Sequence, residues 1–383
     1  MRVRWKEWLL ALASIGLVAL IAEIGLRIFW TYGQFAFKSY QSAPYLFETK
    51  YWKAWHYPAT SIHFVKDCLD VRYSTNSDGM RGREVDPDRP RITLLGDSYV
   101  EGYGVDDDAT IGALIEPLLD NNVQALNFGV SGGFGTVHEL ALYHNYARHF
   151  RAAWVVLFFV NYNDLYDNIN AVDEDLVDED FELAYPVAGG LAEMRRALVG
   201  NPPAGITFSS PLVPYLYRLL YRSFGILRES VQYWSNVRTD FKTALIDVYA
   251  EPESKAVRNG WIVTRRSLAR LKALTAEDGA RLLVVDLADP YQIDSNWVKI
   301  AAMKSEGKKQ IDPKRPNRKL EGICRDLEIP YYDMYDEVMS HIKKYGLQYP
   351  YLSHMCDRHY TREGNLITAR FLAPKLKALM GGN

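Results

Sequence analysis

The sequence of 383 residues has few of the features that mark specialised protein classes. It holds only three cysteines, Cys68, Cys324 and Cys356, which excludes a disulfide-stapled mini-protein and leaves the pairing of any two of them open. The 45 basic and 47 acidic side chains nearly cancel, which excludes a polybasic nucleic-acid binder and predicts no nucleic-acid partner. With 48% hydrophobic and 24% charged residues, the chain is neither disordered nor collagen-like.

Long apolar runs are also scarce, and the one that stands out lies at the N-terminus. After a basic head at residues 2–6, residues 8–22 carry no charge, and the apolar character continues to Trp30. Glu23 and Arg27 interrupt it, but they lie one helical turn apart, so they can pair with each other near the membrane surface. At about 1.5 Å per residue, the wider stretch is long enough to cross a ~30 Å hydrocarbon core.

We therefore expect residues 1–30 to form an uncleaved, single-pass membrane anchor. The basic head predicts that the N-terminus stays in the cytoplasm and that the rest of the chain is exported, to the periplasm if the source is a Gram-negative bacterium. The predicted location is thus the cell membrane. Two alternatives stay open, namely a cleaved signal peptide and a buried core helix.

The remainder of the chain divides at about residue 91. Residues 31–90 form an aromatic, polar and proline-containing lead-in segment without a sustained period, and turn-forming residues close it at 76–82. Beyond it, short apolar runs alternate with helical patterns. The predicted strands are 92–95, 123–128, 154–160, 282–287 and 329–332, and the predicted helices include 110–119, 137–150 and 262–276. This alternation predicts an α/β fold with a central parallel sheet covered on both faces.

One long interval, at about residues 165–259, breaks the alternation. It begins with an acidic stretch, residues 164–182, that has nine Asp or Glu and no Lys or Arg, and it continues to an aromatic helix around 214–234. Structureless loops of this length are rare in compact domains, so we expect an inserted helical cap over one end of the sheet. The acidic stretch lacks the spacing of a calcium loop, so we expect a solvated loop and no metal site.

A second charged segment lies at residues 299–319, with eight basic and two acidic side chains. An exposed loop or solvated helix is one interpretation of such a run. A docking surface for an anionic polymer or a lipid headgroup is the other.

Polar residues that suit acyl chemistry follow the ends of the predicted strands. The first strand leads into Ser98, at the strand-to-helix turn where the functional groups of such sheets gather. A serine hydroxyl is unreactive alone and needs a base, an orienting acid and hydrogen-bond donors for the developing oxyanion. Residue types that can supply these groups stand at the remaining strand ends and before the last helix: Gly129, Gly132, Asn163, Asp357 and His359.

These residues mark four sequence blocks, namely the segments around Ser98, around Gly129 and Gly132, around Asn163, and around Asp357 and His359. In their order and over residues 91–375, the four blocks resemble those of the SGNH (GDSL-type) hydrolase superfamily. The resemblance implies a flavodoxin-like three-layer α/β/α fold for residues 91–383, with the cap inserted, and a serine hydrolase that uses no cofactor. It also implies that Ser98 is the nucleophile. The oxyanion hole would consist of the Ser98 N–H, the Gly132 N–H and the Asn163 amide, with Gly129 as the second choice for the glycine.

The fourth block departs from the usual Asp-x-x-His pattern of the family. Asp357-Arg358-His359 is one residue shorter, a form that resembles the membrane-associated branch with the alginate acetyltransferase-like proteins. Strict spacing would put Cys356 in place of the acid, where it cannot orient an imidazole. We therefore expect Asp357 to be the acid and His359 the base, since the competing His354 lacks an Asp at the right offset.

Several other polar residues are expected to organise the site without reacting. Asp97 and Asp164 are expected to shape the loops around it. Asn76, Gly79 and Arg81 resemble a segment that is common just before the first block, and we expect structural packing or a contact at the edge of the site. Asn161 stands where the third block commonly has glycine, and we expect this departure to alter substrate access without removing the amide donor.

The resemblance implies an exported, membrane-anchored serine esterase or O-acyltransferase that acts on acyl esters of a glycan or cell-envelope component. His359 would take the proton of Ser98 while Asp357 holds the imidazole. Two alternatives stay open. The anchor and the tyrosines of the cap helix favour a lysophospholipase or thioesterase that acts on lipid, and the off-pattern blocks favour a catalytically vestigial glycan-binding envelope protein.

Overall fold

The computed structural model describes residues 12–21, 46–66, 69–173, 243–304, 309–345, 352–354 and 357–381. Most of the predicted anchor, the predicted helix around 214–234, Cys68 and Cys356 lie outside the described residues. Cys324 is a buried free thiol.

The strands are β1 (Leu46–Thr49), β2 (Lys53–His56), β3 (Ser61–Lys66), β4 (Leu69–Ser74), β5 (Arg91–Gly96), β6 (Gln124–Gly129), β7 (Trp154–Val160), β8 (Ala250–Glu251), β9 (Arg281–Leu287), β10 (Gln310–Ile311) and β11 (Tyr331–Asp333). The helices are α1 (residues 12–21), α2 (Ser98–Glu101), α3 (Ile111–Leu118), α4 (Thr136–Asn145), α5 (Asn161–Asp173), α6 (Thr243–Val248), α7 (Lys255–Glu277), α8 (Pro290–Ile293), α9 (Ser295–Lys304), α10 (Arg315–Asp326), α11 (Tyr335–Tyr345) and α12 (Arg362–Gly381).

The central sheet has five parallel strands in the order β11-β9-β7-β5-β6. This is the flavodoxin-like order, in which the chain winds first to one side of β5 and then to the other. The predicted α/β fold with a central parallel sheet is therefore confirmed. The order places the carboxyl ends of β5, β6 and β7 side by side, where the chain leaves the sheet toward Ser98, the Gly129–Gly132 loop and Asn163.

Apolar residues cover both faces of this sheet. All seven residues of β7 are buried, which explains why its sequence is a continuous apolar run rather than an alternating one. Leu94 of β5 packs in one cluster with α3 and α12, whereas the neighbouring Leu95 packs in the other with α4 and α7. Burial of each such side chain contributes about 1.5–3 kcal/mol to folding.

Residues 46–90 form part of this domain, although their sequence shows no sustained period. The strands β1 and β2 pair in one antiparallel hairpin, and β3 and β4 in another. Trp52 and Trp55 are fully buried, and both rings contact Tyr146 at the end of α4. Strands of four to six residues are too short for alternation to be recognised, so tertiary packing decides this segment.

The only described part of the N-terminal region is α1. Its large apolar side chains are exposed: Leu12, Ile15, Leu17, Val18, Leu20 and Ile21. Among the described residues, no helix is both long and apolar enough to cross a membrane.

The two ends of the predicted insertion belong to the domain. Residues 165–173 continue α5, and α7 begins at Lys255, earlier than the predicted 262. A side chain at Gly260 would collide with Leu165, so the two helices approach closely there. The middle of the insertion, residues 174–242, lies outside the described residues.

The basic segment at 299–319 is largely neutralised within the protein. Four of its basic residues form ion pairs with acidic residues of neighbouring elements, and one pairs inside the segment: Lys309 with Asp247, Lys314 with Asp336, Arg315 with Glu251 and Glu253, Lys319 with Glu253, and Arg318 with Asp312 of the segment itself. These pairs favour a scaffold role over a docking surface for anions.

Candidate active site

Ser98 lies at the sharp turn between β5 and α2. The preceding Asp97 is the N-cap of α2, and its Oδ1 accepts a hydrogen bond of 2.8 Å from the Tyr99 N–H. The helix has only four residues and ends at Gly102, whose φ of +82° is in the left-handed region. Any side chain at Gly96 would collide with Val100, so the turn is tight enough to hold the serine in one place.

Ser98, His359 and Asp357 form one chain of hydrogen bonds. The Nε2 atom of His359 lies 2.7 Å from the Oγ of Ser98, and its Nδ1 atom is hydrogen-bonded to Oδ1 of Asp357. All three side chains are buried or half-buried. This is the arrangement in which an imidazole can take the hydroxyl proton while a carboxylate fixes its tautomer.

The shortened Asp-x-His spacing works because the chain turns between the two residues. Arg358 has a φ of +69°, in the left-handed region, and its N–H donates 2.7 Å to the His354 carbonyl. The carbonyl of His359 in turn accepts from the His354 N–H at 2.8 Å. His354 thus supports the turn through its backbone, and its side chain lies beside Gly104 rather than Ser98.

Two tyrosine rings hold the imidazole of His359. The ring centroids of Tyr99 and Tyr103 lie 5.0 Å and 4.7 Å from that of His359. The Tyr99 hydroxyl also donates 3.1 Å to the Arg358 carbonyl, which links α2 to the loop that carries the base. The base is therefore oriented by packing as well as by Asp357.

Asn163 lies in the first turn of α5, next to the N-cap of α2. Its Nδ2 atom donates to Oδ2 of Asp97, so one amide hydrogen is used within the protein and the second is left to point elsewhere. Burial raises the pKa of Asp97 to about 6, against the hydrogen bonds from the Tyr99 N–H and the Asn163 amide, which lower it. Asp97 thus organises the turn and the amide, as expected.

The two candidate glycines differ in their surroundings. The N–H of Gly129, at the end of β6, donates 2.9 Å to Oδ1 of Asn127, and a side chain there would collide with the backbone of Glu101. Gly132 is exposed, has a φ of +98°, and its N–H meets no acceptor within the part of the chain that the structure describes. Of these two glycines, only Gly132 has an N–H available to an oxyanion.

Further expected supporting residues are also placed. Arg81 is buried, and its guanidinium donates to the carbonyls of Glu101, Gly102 and Val105, which is a packing role for the segment before the first block. Asn161 is buried and donates 2.7 Å to Asp286 at the neighbouring strand end, so it joins β7 to β9.

The sequence analysis missed a buried polar network beside the site. Glu101, three residues after Ser98, is fully buried and accepts hydrogen bonds from Tyr73 and Ser131. Its Oε1 also lies 3.4 Å from His56 Nε2. Burial alone would raise the pKa of Glu101, but the hydrogen bond and charge of His56, with the two hydroxyl donors, lower it from its ordinary value. The Glu three residues after Ser98 is the one signal that the sequence offered.

Buried carboxyl groups lie behind the turn as well. Burial, with the charges of Asp97 and Asp167, raises the pKa of Glu139 well above its ordinary value. Burial also raises the pKa of Asp164, whose Oδ2 accepts 2.6 Å from the Val160 N–H. Asp164 and Asp167 are buried in α5, which corrects the expectation of a solvated loop for this part of the acidic stretch. In the described ranges, no group of three or more acidic, His or Cys side chains has the arrangement of a metal site.

A cavity of about 470 Å³ lies elsewhere, between residues 74–83 and α3. Neither Ser98 nor His359 lines it. Among its charged side chains, Arg81 pairs with Asp107 and Arg83 with Glu116, so we assign it no part in the chemistry.

No protein-family model and no curated protein matches the chain. Among solved structures, the chain is similar to a lipase/acylhydrolase from Enterococcus faecalis, with 10% identity, coverage of 76% of this chain and 96% of that one, and a TM-score of 0.39. It is also similar to an acetylxylan esterase from Geobacillus stearothermophilus, with 11% identity, coverage of 76% of this chain and 95% of that one, and a TM-score of 0.38. A third similar structure is a lipolytic protein of the G-D-S-L family from Desulfitobacterium hafniense, with 8% identity, coverage of 75% of this chain and 99% of that one, and a TM-score of 0.35. With TM-scores below 0.5, these likenesses leave the assignment of activity to the geometry of the site.

Proposed function

We propose that this chain is a serine hydrolase of the SGNH type that acts on ester bonds, as an esterase or an O-acyltransferase. The observation that carries the proposal is the hydrogen-bonded series of Ser98, His359 and Asp357, with 2.7 Å between Ser98 Oγ and His359 Nε2. The N-cap of α2 is Asp97, so capping does not explain the presence of Ser98, whereas the imidazole within hydrogen-bonding distance fits a nucleophile.

The reaction follows from the roles of these groups. The Oγ atom of Ser98 attacks the ester carbonyl carbon while His359 Nε2 takes its proton. The bond to the leaving oxygen then breaks, and the imidazolium returns the proton to the departing alcohol. Water, or a sugar hydroxyl in a transferase, next attacks the acyl-serine with His359 as the base and releases Ser98. Asp357 keeps the imidazole in the required tautomer throughout.

The oxyanion of each tetrahedral intermediate needs donors that are in place before the reaction. We assign this role to the N–H groups of Ser98 and Gly132 and to the free amide hydrogen of Asn163. The first N–H groups of a helix have no intrahelical acceptor, which leaves that of Ser98 available. Such donors typically contribute about 10²–10³-fold each to turnover.

For the substrate, we propose acyl esters of a glycan or cell-envelope component, and for the location, export and anchoring at the cell membrane. The exposed apolar side chains of α1 support a segment that meets lipid, because six large apolar side chains on a water-exposed helix would favour association. Expression of a fusion with a periplasmic or cytoplasmic reporter, followed by membrane fractionation, tests the topology.

The activity is tested with a fluorophosphonate probe and p-nitrophenyl acetate. We expect the wild-type protein to be labelled and to release p-nitrophenol, and Ser98→Ala to lose both. Ser77→Ala, at an exposed serine, serves as the control and should retain both activities. An unlabelled, inactive wild-type protein would contradict the proposal and favour a vestigial, glycan-binding role.

A lipid ester is the second candidate substrate, and α1 also favours it, since the same contact with a membrane would bring the site close to lipids. The dependence of kcat/KM on acyl chain length separates the two. A preference for acetyl esters supports the glycan substrate, whereas a preference for long chains supports a lysophospholipase or thioesterase.

A further inference from the structure

The loop that carries Gly132 has few backbone hydrogen bonds of its own. It joins β6 to α4, and Gly132 and Gly133 both have positive φ angles, +98° and +80°. Backbone bonds hold its two ends, from the Val130 N–H to the Gly96 carbonyl and from the His138 N–H to the Gly135 carbonyl. Two consecutive glycines in this region give a flexible backbone, so side chains must hold an N–H there in a fixed direction.

Two side-chain contacts provide that support. The hydroxyl of Ser131, which precedes Gly132, donates to Oε2 of Glu101. On the other side, the Nζ atom of Lys53 donates 2.8 Å to the carbonyl of Gly133. Gly132 is thus held between two anchored neighbours, and both anchors lie outside the loop.

The anchor at Glu101 is itself held by polar side chains of the segment before Ser98. The Nδ1 atom of His56 lies 3.1 Å from the Gly79 carbonyl, which can only accept, so this nitrogen carries a hydrogen. Tyr73 donates its hydrogen to Glu101, and the Tyr73 oxygen lies 3.0 Å from His56 Nε2. His56 Nε2 also lies 3.4 Å from Glu101 Oε1, and both side chains are fully buried.

From these contacts we infer that Glu101 and Lys53 are positioning residues for the oxyanion hole. Glu101 acts through its hydrogen bond with Ser131, which fixes the position of the adjacent Gly132. Glu101 follows Ser98 in α2, so one carboxylate fixes the Gly132 loop relative to the nucleophile. Lys53 and His56 lie on β2, and Tyr73 lies on β4. The two hairpins β1–β2 and β3–β4, which precede Ser98 in the chain, therefore contribute residues to the site. The inference rests on the proposed function.

Ser131→Ala is the sharpest test, because it removes the contact and leaves Glu101 with its Tyr73 and His56 partners, whereas changing Glu101 would remove all of these contacts at once. We expect kcat for p-nitrophenyl acetate to fall about 10- to 100-fold with KM within about twofold, since the donor is misplaced rather than lost. Ser131→Thr, which keeps the hydroxyl, should restore most of the activity. The exposed Ser77–Glu84 pair, with 2.6 Å between Oγ and Oε2, provides the matched control Ser77→Ala.

A second readout separates positioning from general structural damage. The inhibition constant of phenylboronic acid, which forms a tetrahedral adduct with an active serine, should rise by the same factor as kcat falls. The pH midpoint of kcat/KM should stay unchanged, because Ser131 does not contact His359. Lys53→Met should give the same pattern, with Lys50→Met at an exposed neighbouring lysine as its control.

The possible failures are distinguishable. A wild-type protein that is neither labelled at Ser98 nor active overturns the proposed function, and this inference with it. Wild-type kcat and wild-type boronate affinity in both Ser131→Ala and Lys53→Met overturn the inference alone. Loss of activity in Ser131→Ala with an unchanged boronate inhibition constant also overturns it, because the oxyanion donor would then be intact.

Discussion

Ser98 Oγ and His359 Nε2 lie 2.7 Å apart although 261 residues separate them in the sequence. The contact joins the turn after the first strand of the sheet to the loop before the last helix. Because both ends are held by packed elements, the distance is a property of the whole domain and not of either segment alone. The geometry leads to the following expectations.

Replacement of the base should remove most of the activity. We expect His359→Ala to lower kcat by at least about 10³-fold, since the hydroxyl of Ser98 then has no proton acceptor. His341→Ala, a histidine half-buried on α11, is the control and should leave kcat unchanged. Steady-state hydrolysis of p-nitrophenyl acetate measures both, and near-normal turnover in His359→Ala would rule out its role as base.

Loss of the Asn163 amide should affect turnover more than binding. We expect Asn163→Ala to lower kcat about 10²–10³-fold with little change in KM, because an oxyanion donor acts on the transition state. The exposed Asn122→Ala provides the comparison. If instead KM rises and kcat is retained, Asn163 contributes to substrate binding and the oxyanion assignment fails.

Two glycines offer opposite outcomes for the same substitution. At Gly129, a Cβ would overlap backbone atoms of Glu101, so we expect Gly129→Ala to destabilise the fold by about 1–3 kcal/mol or more. At Gly112, inside α3, the nearest atom to a Cβ would be Leu94 Cδ1 at 3.5 Å, an ordinary contact. Gly112→Ala should therefore stabilise by up to about 1 kcal/mol. Urea unfolding of both variants measures the free energies, and equal effects would contradict the close approach at Gly129.

Asp289 should make stability depend on pH. It caps α8, and its Oδ2 accepts 2.5 Å from the Tyr249 hydroxyl. Burial raises its pKa to about 7, against the hydrogen bonds from Tyr249, Gln292 and Tyr291. A carboxyl group whose pKa is raised on folding binds more protons in the folded state, so its contribution is complete below about pH 4 and is lost as the pH rises to about 7.

Asp289→Asn keeps an N-cap and cannot ionise. We expect the free energy of unfolding of the wild type, relative to this variant, to decrease between about pH 4 and pH 7. Chemical unfolding at several pH values measures the difference. A constant difference across this range would show that Asp289 ionises equally in both states.

The sequence by itself determined the parallel sheet, because strands buried on both faces must be continuous apolar runs, and it determined which residue types stand at the strand ends. Acyl chemistry needs a nucleophile, a base, an acid and oxyanion donors, and the resemblance to the SGNH hydrolases assigned these roles to Ser98, His359, Asp357, Asn163 and one of two glycines. The sequence did not show the hairpins of residues 46–74, whose strands are too short for a period, and it left Gly129 and Gly132 as alternatives.

Only the tertiary structure decided how these groups meet. The left-handed turn at Arg358 makes the shortened Asp-x-His spacing workable, and the Asn127 side chain occupies the Gly129 N–H and leaves that of Gly132. The Glu101 network draws residues from β2, β4, α2 and the Gly132 loop. Such contacts arise between distant segments, where hydrogen-bond geometry and exclusion of water depend on packing, and no local pattern in the chain encodes them.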